Sequence, residues 1–339
     1  MSSKAAPSPV LPASMRFVDC TAVGDPEVMI IRHGALPTLA AGEVLINVHA
    51  AGVNRPDILQ RRGLYPMPAG VNPVLGLEVA GEIVAIAPDV SGWQLGDRVC
   101  ALTNGGGYAD YCAVPSGQCL PMPIGLSMQQ AAAIPETFFT VWANLVQLGH
   151  ARAGERVLIH GGSSGIGTTA LLLGRELGLR CFATAGSKEK CQLIEDLGGV
   201  AVNYREHDFA EAIVQLSDGK GVDVILDIVG ANYLEQNLRL LANDGRLVII
   251  GMMGGISATL NLMPIMLKRL QITGSTLRAR SSAQKAAIAE QLHARVWPAL
   301  AAGRCLPVID QVFALEHVAD AHRHLESGDG MGKVVLSLV

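Results

Sequence analysis

The segment Glu155–Leu173 constrains the fold of this chain more than any other stretch. Its sequence, ERVLIHGGSSGIGTTALLL, is an apolar strand, a glycine-rich turn and an apolar helix in direct succession. Glycine lets the backbone turn sharply and approach a ligand closely, and the start of a helix presents free N–H groups to an anion. The glycines have the spacing GxxGxG, a shifted form of the pattern that binds the pyrophosphate of a dinucleotide. The alternative is a tight turn that binds nothing. The predicted pyrophosphate-binding residues are Ser163, Ser164, Gly165, Ile166 and Gly167.

The residues that follow this turn continue the alternation of strands and helices. Apolar strands are predicted at residues 156–160, 180–185, 222–229 and 246–251, with helices at 166–177, 188–197, 209–216 and 233–242. Such alternation is typical of a parallel sheet that is covered by helices on both faces. We therefore predict an α/β fold with a doubly wound, Rossmann-type parallel sheet.

The first part of the chain has a different character. From residue 15 to about residue 123, short alternating or β-branched strands are separated by glycine and proline turns. This pattern predicts an all-β barrel or sandwich. After about residue 276 the regular alternation stops, and a long helix at 283–302, a shorter helix and a final strand follow. These last elements are expected to return to the first domain, which would then be built from both chain ends.

The end of the second predicted strand indicates which dinucleotide binds. In NAD-binding folds an acidic residue about 20 positions beyond the glycines holds the ribose hydroxyls. Here the strand ends in Gly186, Ser187 and Lys188 instead. A small residue, a hydroxyl and a cation suit the extra 2′-phosphate of NADPH, and Tyr204 with Arg205 could close over it. We therefore predict NADPH rather than NADH; the alternative is that Ser187 only caps a helix and Lys188 is solvated.

Charge and cysteine content exclude several other classes of protein. The formal net charge is −4 and no basic stripe is present, so no nucleic-acid partner is expected. Seven cysteines without a CxxC pair predict reduced thiols in a cytoplasmic protein and no four-cysteine zinc site. No apolar run approaches the roughly 20 residues that span a bilayer, so no membrane association is expected. Residues 1–14, rich in Ser, Ala and Pro, are predicted to form a flexible tail.

Five motifs follow one another along the chain: AGVNRPD at 51–57, GDRV at 96–99, the glycine turn, GMMGG at 251–255 and GKVV at 332–335. In this order and spacing they resemble the medium-chain dehydrogenase/reductase superfamily, and most closely its zinc-free quinone oxidoreductase branch. The resemblance extends from about residue 15 to the end of the chain. It implies a GroES-like catalytic domain at residues 15–135 and 276–339, a Rossmann NADPH-binding domain at 136–275, and a substrate cleft between them.

The resemblance also bears on metal binding. Zinc-dependent relatives hold a catalytic zinc with two cysteines and a histidine, and the matching positions here carry Asn54, Leu77 and Glu136. Leu77 cannot bind a metal, Asn54 is a poor ligand, and a single carboxylate cannot hold zinc. No metal site is therefore expected, and zinc-assisted alcohol dehydrogenation is disfavoured.

Without a metal, hydrogen-bond donors must stabilise the charge that develops on the acceptor. Asn54 follows a predicted strand and could donate its amide to an acceptor carbonyl; the alternative is a turn residue that bonds its own backbone. The resemblance places Tyr65 beside the substrate, where its hydroxyl could donate a hydrogen bond or a proton. The alternative for Tyr65 is a surface aromatic residue in a loop. Asn54 and Tyr65 are the predicted catalytic residues.

The remaining predicted cofactor contacts come mainly from the resemblance. Thr140 is similar to a threonine on the nicotinamide side, although ordinary helix packing is an alternative. Met252 and Met253 follow a buried strand and would either pack on the cofactor or fill the core. Lys333 could reach the cofactor or be a solvated strand residue. The predicted cofactor-binding residues outside the glycine turn are Thr140, Gly186, Ser187, Lys188, Tyr204, Gly251, Met252, Met253, Leu277, Arg278 and Lys333.

Together these features predict an NADPH-dependent, zinc-free quinone oxidoreductase that passes reducing equivalents to a small-molecule quinone. One alternative is a reductase for the carbon–carbon double bond of enones or enoyl thioesters, which would share the cofactor and the fold. Another is an NADPH-binding protein with a structural or sensory role and little turnover. The apolar run at residues 263–270, together with the resemblance, predicts a homodimer.

Overall fold

The structure is a computed structural model that describes residues 11–68 and 70–339, and these form two compact units. The first unit contains the chain up to Glu136 together with Arg280–His293 and Ile309–Val339. The second unit contains Thr137–Ala279 and Ala294–Val308. Of the predicted flexible tail, residues 1–10 lie outside the described residues.

The strands of the described chain are β1 (Met15–Cys20), β2 (Met29–Gly34), β3 (Glu43–Val53), β4 (Glu78–Ile86), β5 (Arg98–Leu102), β6 (Tyr111–Pro115), β7 (Cys119–Pro121), β8 (Arg156–Ile159), β9 (Arg180–Ala185), β10 (Val200–Asn203), β11 (Val222–Asp227), β12 (Leu241–Ile249), β13 (Gln271–Gly274), β14 (Ile309–Ala314) and β15 (Lys333–Ser337).

The α-helices of the same residues are α1 (Arg55–Arg61), α2 (Met128–Ala132), α3 (Pro135–Val141), α4 (Gly165–Glu176), α5 (Lys188–Asp196), α6 (Phe209–Leu216), α7 (Leu234–Leu240), α8 (Met263–Lys268), α9 (Ser282–Arg295), α10 (Trp297–Ala301) and α11 (Val318–Ser327). A π-helical segment, Trp142–Leu148, continues α3. None of the helices in the described ranges is long and apolar enough to cross a membrane.

A seven-stranded sheet forms the frame of the first unit. Its order is β14-β15-β3-β4-β5-β7, with β6 also paired to β3. Strand β3 is central, because it pairs antiparallel with β4 over most of its length and with β6 and β15 near its two ends. Gly81 on β4 is needed for this close pairing, since a Cβ at that position would lie 1.9 Å from the carbonyl oxygen of Asn47 on β3. The end of β3 and the start of β4 thereby come together.

A six-stranded sheet forms the frame of the second unit. Its order is β10-β9-β8-β11-β12-β13, and every neighbouring pair is parallel. The chain therefore winds outward in two directions from the junction of β8 and β11. In such sheets, ligands bind beyond the carboxyl ends of the strands at this reversal point. The predicted α/β fold with a doubly wound parallel sheet is confirmed.

The C-terminal region differs from the sequence-based expectation in two respects. Residues 294–308 belong to the second unit, where the guanidinium of Arg295 lies 5.9 Å from the centroid of the Trp142 ring. The single helix predicted at 283–302 is divided into α9 and α10. The second helix starts anew at Trp297 because Pro298 has no N–H and fits only the first turn of a helix.

Candidate active site and cofactor site

The glycine turn joins β8 to α4 at the reversal point of the parallel sheet. Ser164 caps the helix, because its Oγ accepts a hydrogen bond from the N–H of Gly167 at 3.1 Å. The N–H groups of Gly165 and Ile166 have no acceptor among the described residues. A Cβ on Gly167 would lie 2.3 Å from the carbonyl oxygen of Gly161, so a larger residue would push the helix away from the turn. The free N–H groups and the close backbone approach suit a diphosphate.

A buried hydrogen-bond network holds the strand that leads into this turn. His160 Nε2 lies 2.8 Å from Asn237 Oδ1, and His160 Nδ1 lies 3.1 Å from Thr184 Oγ1. The amide of Asn237 donates to Asp227, which leaves its oxygen to accept from Nε2–H of the histidine. Thr184 Oγ1 also accepts the N–H of Gly161 at 3.3 Å. Burial lowers the pKa of His160 to about 4, so a neutral imidazole joins the network at neutral pH.

The end of β9 brings the predicted 2′-phosphate residues together. Ser187 caps α5 through a 3.3 Å hydrogen bond from the N–H of Lys190, and Lys188 is exposed beside it. A Cβ on Gly186 would lie 2.6 Å from the hydroxyl oxygen of Tyr204 and 3.3 Å from Arg205 Nε. Two cationic side chains and a tyrosine hydroxyl therefore flank one strand end.

The first turn of α5 also carries an acidic residue, Glu189. A backbone hydrogen bond, and after it the hydroxyl of Ser187, lower the pKa of the Glu189 carboxyl. An acidic residue thus stands two positions beyond Ser187, on the exposed side of the helix start. The choice between NADPH and NADH depends on whether the cations or this acid face the ribose.

Two predicted cofactor contacts on the loop after β12 are exposed. Met252 and Met253 have exposed fractions of 55% and 64%, so they do not fill the core. By contrast, Leu277 and Arg278 are buried, with exposed fractions of 7% and 6%. Thr140 is half-buried on α3, and its carbonyl oxygen accepts from the side-chain amide of Asn144 at 2.8 Å.

In the first unit, a buried polar cluster surrounds Asn54, which lies between β3 and α1. Lys333 Nζ on β15 is 2.5 Å from Asn54 Oδ1, 2.6 Å from Glu78 Oε1 and 3.2 Å from the carbonyl oxygen of Val53. Asn54 Nδ2 donates to Glu78 Oε1 at 2.9 Å, and a longer contact of 3.4 Å joins it to the carbonyl oxygen of Gly52. Lys333 is therefore buried against three partners and is not a solvated strand residue.

Gly52 makes room for this cluster. A Cβ at that position would lie 2.0 Å from Glu78 Oε1. The carboxylate of Glu78 can therefore reach across to Asn54 and Lys333 only because position 52 lacks a side chain. The motif Ala51-Gly52-Val53-Asn54, which was noted only as part of the resemblance, thus has a direct packing function.

A directed chain of hydrogen bonds supports Asn54 from the other side. The N–H of Asn54 donates to Asp57 Oδ2 at 2.9 Å, and the hydroxyl of Tyr108 donates to the same oxygen at 3.2 Å. His322 Nε2 lies 3.3 Å from that hydroxyl, and Arg61 donates to His322 Nδ1 at 2.9 Å. Burial, assisted by the charge of Arg61, lowers the pKa of His322 to about 3. The imidazole is therefore neutral. Its Nδ1 accepts the hydrogen bond from Arg61, and its Nε2–H donates to the hydroxyl of Tyr108.

Glu136 lies on the far side of the Glu78 carboxylate from Asn54. Its N–H donates to Glu78 Oε2 at 2.8 Å, whereas its own side chain is half-buried at the start of α3. Desolvation, together with the negative charge of Glu78, raises the pKa of Glu136 to about 8. Asn54, Leu77 and Glu136, the three positions that match zinc ligands in relatives, thus converge on Glu78, which follows Leu77 directly.

The sequence predicted only part of this polar cluster, namely Asn54 and Lys333. Tyr65 lies half-buried in the loop between α1 and β4. Glu78, Asp57 and His322 were not predicted as site residues. An acidic residue at the first position of an apolar strand, as Glu78 is in β4, was the available signal for a buried partner. No group of three or more His, Cys, Asp or Glu side chains in residues 11–68 and 70–339 is placed to hold a metal ion.

Comparison with known proteins identifies the family. Residues 40–124 match the alcohol dehydrogenase GroES-like domain, and residues 198–336 match the zinc-binding dehydrogenase family. The quinone oxidoreductase of Homo sapiens is 34% identical over 328 residues, which is 96% of this chain and 98% of that protein.

Solved structures agree with this assignment. The CurK enoyl reductase has a TM-score of 0.85 and 29% identity, and the match covers 95% of this chain and 99% of that one. A mycobacterial protein solved in complex with NADPH has a TM-score of 0.84 and 28% identity, with the same coverage of 95% and 99%. The chain therefore belongs to the medium-chain dehydrogenase/reductase superfamily, in its zinc-free quinone oxidoreductase branch, whose members bind a nicotinamide dinucleotide.

Proposed function

We propose that this chain is an NADPH-dependent quinone oxidoreductase. The observation that carries the proposal is the polar cluster around Asn54: an amide, an ammonium group and carboxyl groups converge where zinc-dependent relatives bind the metal. A quinone suits such a site, because the negative charge that forms on its oxygen is delocalised and needs little electrophilic help. The name of the human relative at 34% identity supports the same acceptor.

The cofactor proposal rests on the second unit. A bound nicotinamide dinucleotide supplies the hydride. The glycine turn offers the N–H groups of Gly165 and Ile166 to a diphosphate, and Lys188 with Arg205 offers positive charge to a 2′-phosphate. The NADPH complex of the mycobacterial neighbour supports NADPH over NADH.

Asn54 and Tyr65 are proposed to contact the acceptor. An amide nitrogen carries two hydrogens, and Asn54 uses one of them at 2.9 Å for Glu78. The other has only the long 3.4 Å contact to Gly52, which an acceptor carbonyl could replace. Lys333 and Glu78 fix the orientation of this amide, because Lys333 can only donate and Glu78, when ionised, can only accept.

An acceptor screen tests the proposed function directly. NADPH and NADH oxidation would be followed with a series of quinones, with and without a chelator. We expect turnover of quinones with NADPH and no effect of the chelator. Inactivation by the chelator, or failure to reduce any quinone, would contradict the proposal.

The cofactor preference depends on Lys188. Replacing Lys188 with Ala removes one charge-assisted contact to a 2′-phosphate, which is worth about 1.5–3 kcal/mol. We therefore expect NADPH affinity to fall about 10- to 100-fold, with little change for NADH, as measured by cofactor fluorescence titration. Lys220→Ala, which removes an exposed lysine elsewhere in the same unit, should change neither affinity. An equal loss of affinity for NADPH and NADH would show that Lys188 does not bind the 2′-phosphate.

The second candidate activity is reduction of an enoyl double bond. The similarity to the CurK enoyl reductase, at a TM-score of 0.85, supports this activity. The same purified enzyme would be assayed with enoyl thioesters beside quinones. Turnover of thioesters alone would replace the quinone by an enoyl substrate while retaining the cofactor and the fold.

The proposed enzyme is a homodimer in the cytoplasm. The α8–β13 face, defined here as Met263, Met266, Leu267 and Ile272, is apolar and exposed, and β13 is the last strand of the parallel sheet. A large apolar patch beside an unpaired strand edge is typical of a surface that a second copy covers. All seven cysteines are free thiols, which is typical of proteins in reducing compartments.

A further inference from the structure

Among the acidic side chains of this cluster, Glu136 is the one whose carboxyl group has no hydrogen bond to the described part of the chain. Glu78 and Asp57 are fully buried and each accepts several hydrogen bonds. In contrast, no hydrogen bond reaches the side chain of Glu136 from the described residues, and that side chain is half-buried. Its backbone is held in place by the 2.8 Å bond to Glu78 Oε2. The backbone of Glu136 is therefore held near Asn54 through the shared Glu78 carboxylate, and its half-buried carboxyl group is left to contact a substrate.

Burial is the main reason why Glu136 resists ionisation, because a charged carboxylate there would be poorly solvated. The carboxylates of Glu78 on β4 and Asp57 on α1 raise its pKa further. The ammonium groups of Lys333 on β15 and Lys285 on α9 lower it, but the net shift is upward. The carboxyl group is therefore protonated at neutral pH.

We propose that Glu136 is the general acid of the reaction and protonates the oxygen of the reduced acceptor. This inference rests on the proposed reductase function. Reduction of a quinone to a hydroquinone needs two electrons and two protons. The hydride carries both electrons and one proton, and Glu136 supplies the second proton. Its O–H bond breaks as an O–H bond forms on the acceptor, and the carboxylate regains a proton from solvent.

Acidity favours Glu136 over Tyr65 for this role. The reference pKa of a tyrosine hydroxyl is about 10, so it is a weak acid near neutrality, whereas a protonated carboxyl group gives up its proton more readily. The backbone N–H of Glu136 and the side-chain amide of Asn54 also bond the two oxygens of one carboxylate, that of Glu78, so the backbone that carries the proposed proton donor lies close to the proposed carbonyl-binding group.

The test compares Glu136→Gln and Glu136→Asp with the wild-type chain. Glutamine keeps the size of the side chain but cannot act as an acid, so kcat with a quinone should fall about 100-fold while NADPH affinity is unchanged. The rate of the wild-type enzyme should decline as the pH rises through about 8, where Glu136 loses its proton. This decline should be absent in Glu136→Gln and present in Glu136→Asp. Glu211→Gln, which removes an exposed carboxylate on α6, is the matched control.

A second measurement does not depend on activity. Infrared difference spectra of the free protein, recorded between pH 6 and 10, should show one protonated carboxyl band that titrates near pH 8 and is missing in Glu136→Gln. Persistence of that band in the variant, or a variant that keeps both the wild-type kcat and the decline at high pH, would overturn the assignment. If the wild-type chain reduced no acceptor, the proposed function would fail, and the infrared titration would still report whether Glu136 holds the proton.

Discussion

At the scale of single residues, the polar cluster of the first unit depends on pairs that cannot be separated. Glu78 is completely buried and Lys333 nearly so, with exposed fractions of 0% and 4%. A buried ion pair adds little stability compared with apolar residues, but removal of one partner leaves an uncompensated charge in the interior. The same reasoning explains why Gly52 has no side chain, since any Cβ there would displace the Glu78 carboxylate.

Replacement of Lys333 by Met tests this pairing. The variant leaves the carboxylate of Glu78 without its cation, so the free energy of unfolding should fall by about 3–5 kcal/mol. Urea denaturation followed by circular dichroism measures the change. Lys220→Met, at an exposed position of the second unit, should lie within about 0.5 kcal/mol of the wild-type chain. A similar small effect for both variants would mean that the fold does not depend on the ion pair of Lys333 with Glu78.

At the scale of elements, His160 joins three of them. It follows β8 directly, bonds Thr184 on β9 and Asn237 on α7, and packs against the Phe209 ring at 5.0 Å between ring centroids. The pKa of His160 is about 4 in the folded protein, against 6.5 for an unperturbed histidine. Between these two values the unfolded chain binds a proton that the folded chain does not, so the fold loses stability as the pH falls from 6.5 to 4.

The pH dependence of unfolding tests this coupling. Each such histidine contributes a slope of up to about 1.4 kcal/mol per pH unit within its window. His160→Gln keeps an amide that can hydrogen-bond but does not titrate, so the loss of stability below pH 6.5 should be shallower than in the wild-type chain. His33→Gln, which replaces an exposed histidine of the first unit, is the matched control. Equal slopes for all three proteins would show that His160 is charged in the fold.

At the scale of the whole molecule, the exposed apolar residues are unevenly distributed. The α8–β13 face carries Met266 and Leu267 with exposed fractions of 68% and 65%, next to the unpaired edge of β13. An uncovered face of this kind favours self-association.

Leu267→Glu tests the proposed dimer. A charge in the centre of the apolar face would have to be buried without a partner, so the variant should be monomeric where the wild-type chain is dimeric. Light scattering after size-exclusion chromatography measures the mass. Ile124→Glu, at an 85% exposed apolar residue of the first unit, should remain dimeric. A monomeric wild-type chain, or a Leu267→Glu variant that remains dimeric, would rule out this face as the interface.

The sequence by itself determined the features that depend on neighbouring residues. The strand, glycine turn and helix at 156–176, the capping role of Ser187 and the parallel sheet follow from periodicity and turn chemistry, because these act over a few positions. The resemblance of the ordered motifs then led to the family. Strands β10 and β13, with four residues each, were missed, whereas β8, of the same length, was predicted because the glycine turn and helix that follow it mark its end.

Only the tertiary structure decided what the predicted site residues contact. Asn54 and Lys333 are 279 positions apart in the chain, yet their side chains bond at 2.5 Å because β15 pairs with the end of β3. The sequence predicted that Lys333 is either solvated or bound to the cofactor. Nothing in the sequence indicated that Lys333 shares a cluster with Glu78 and Glu136. Burial, charge balance and the state of a proton depend on which strands pair across the chain, and local preferences of the backbone do not contain that information.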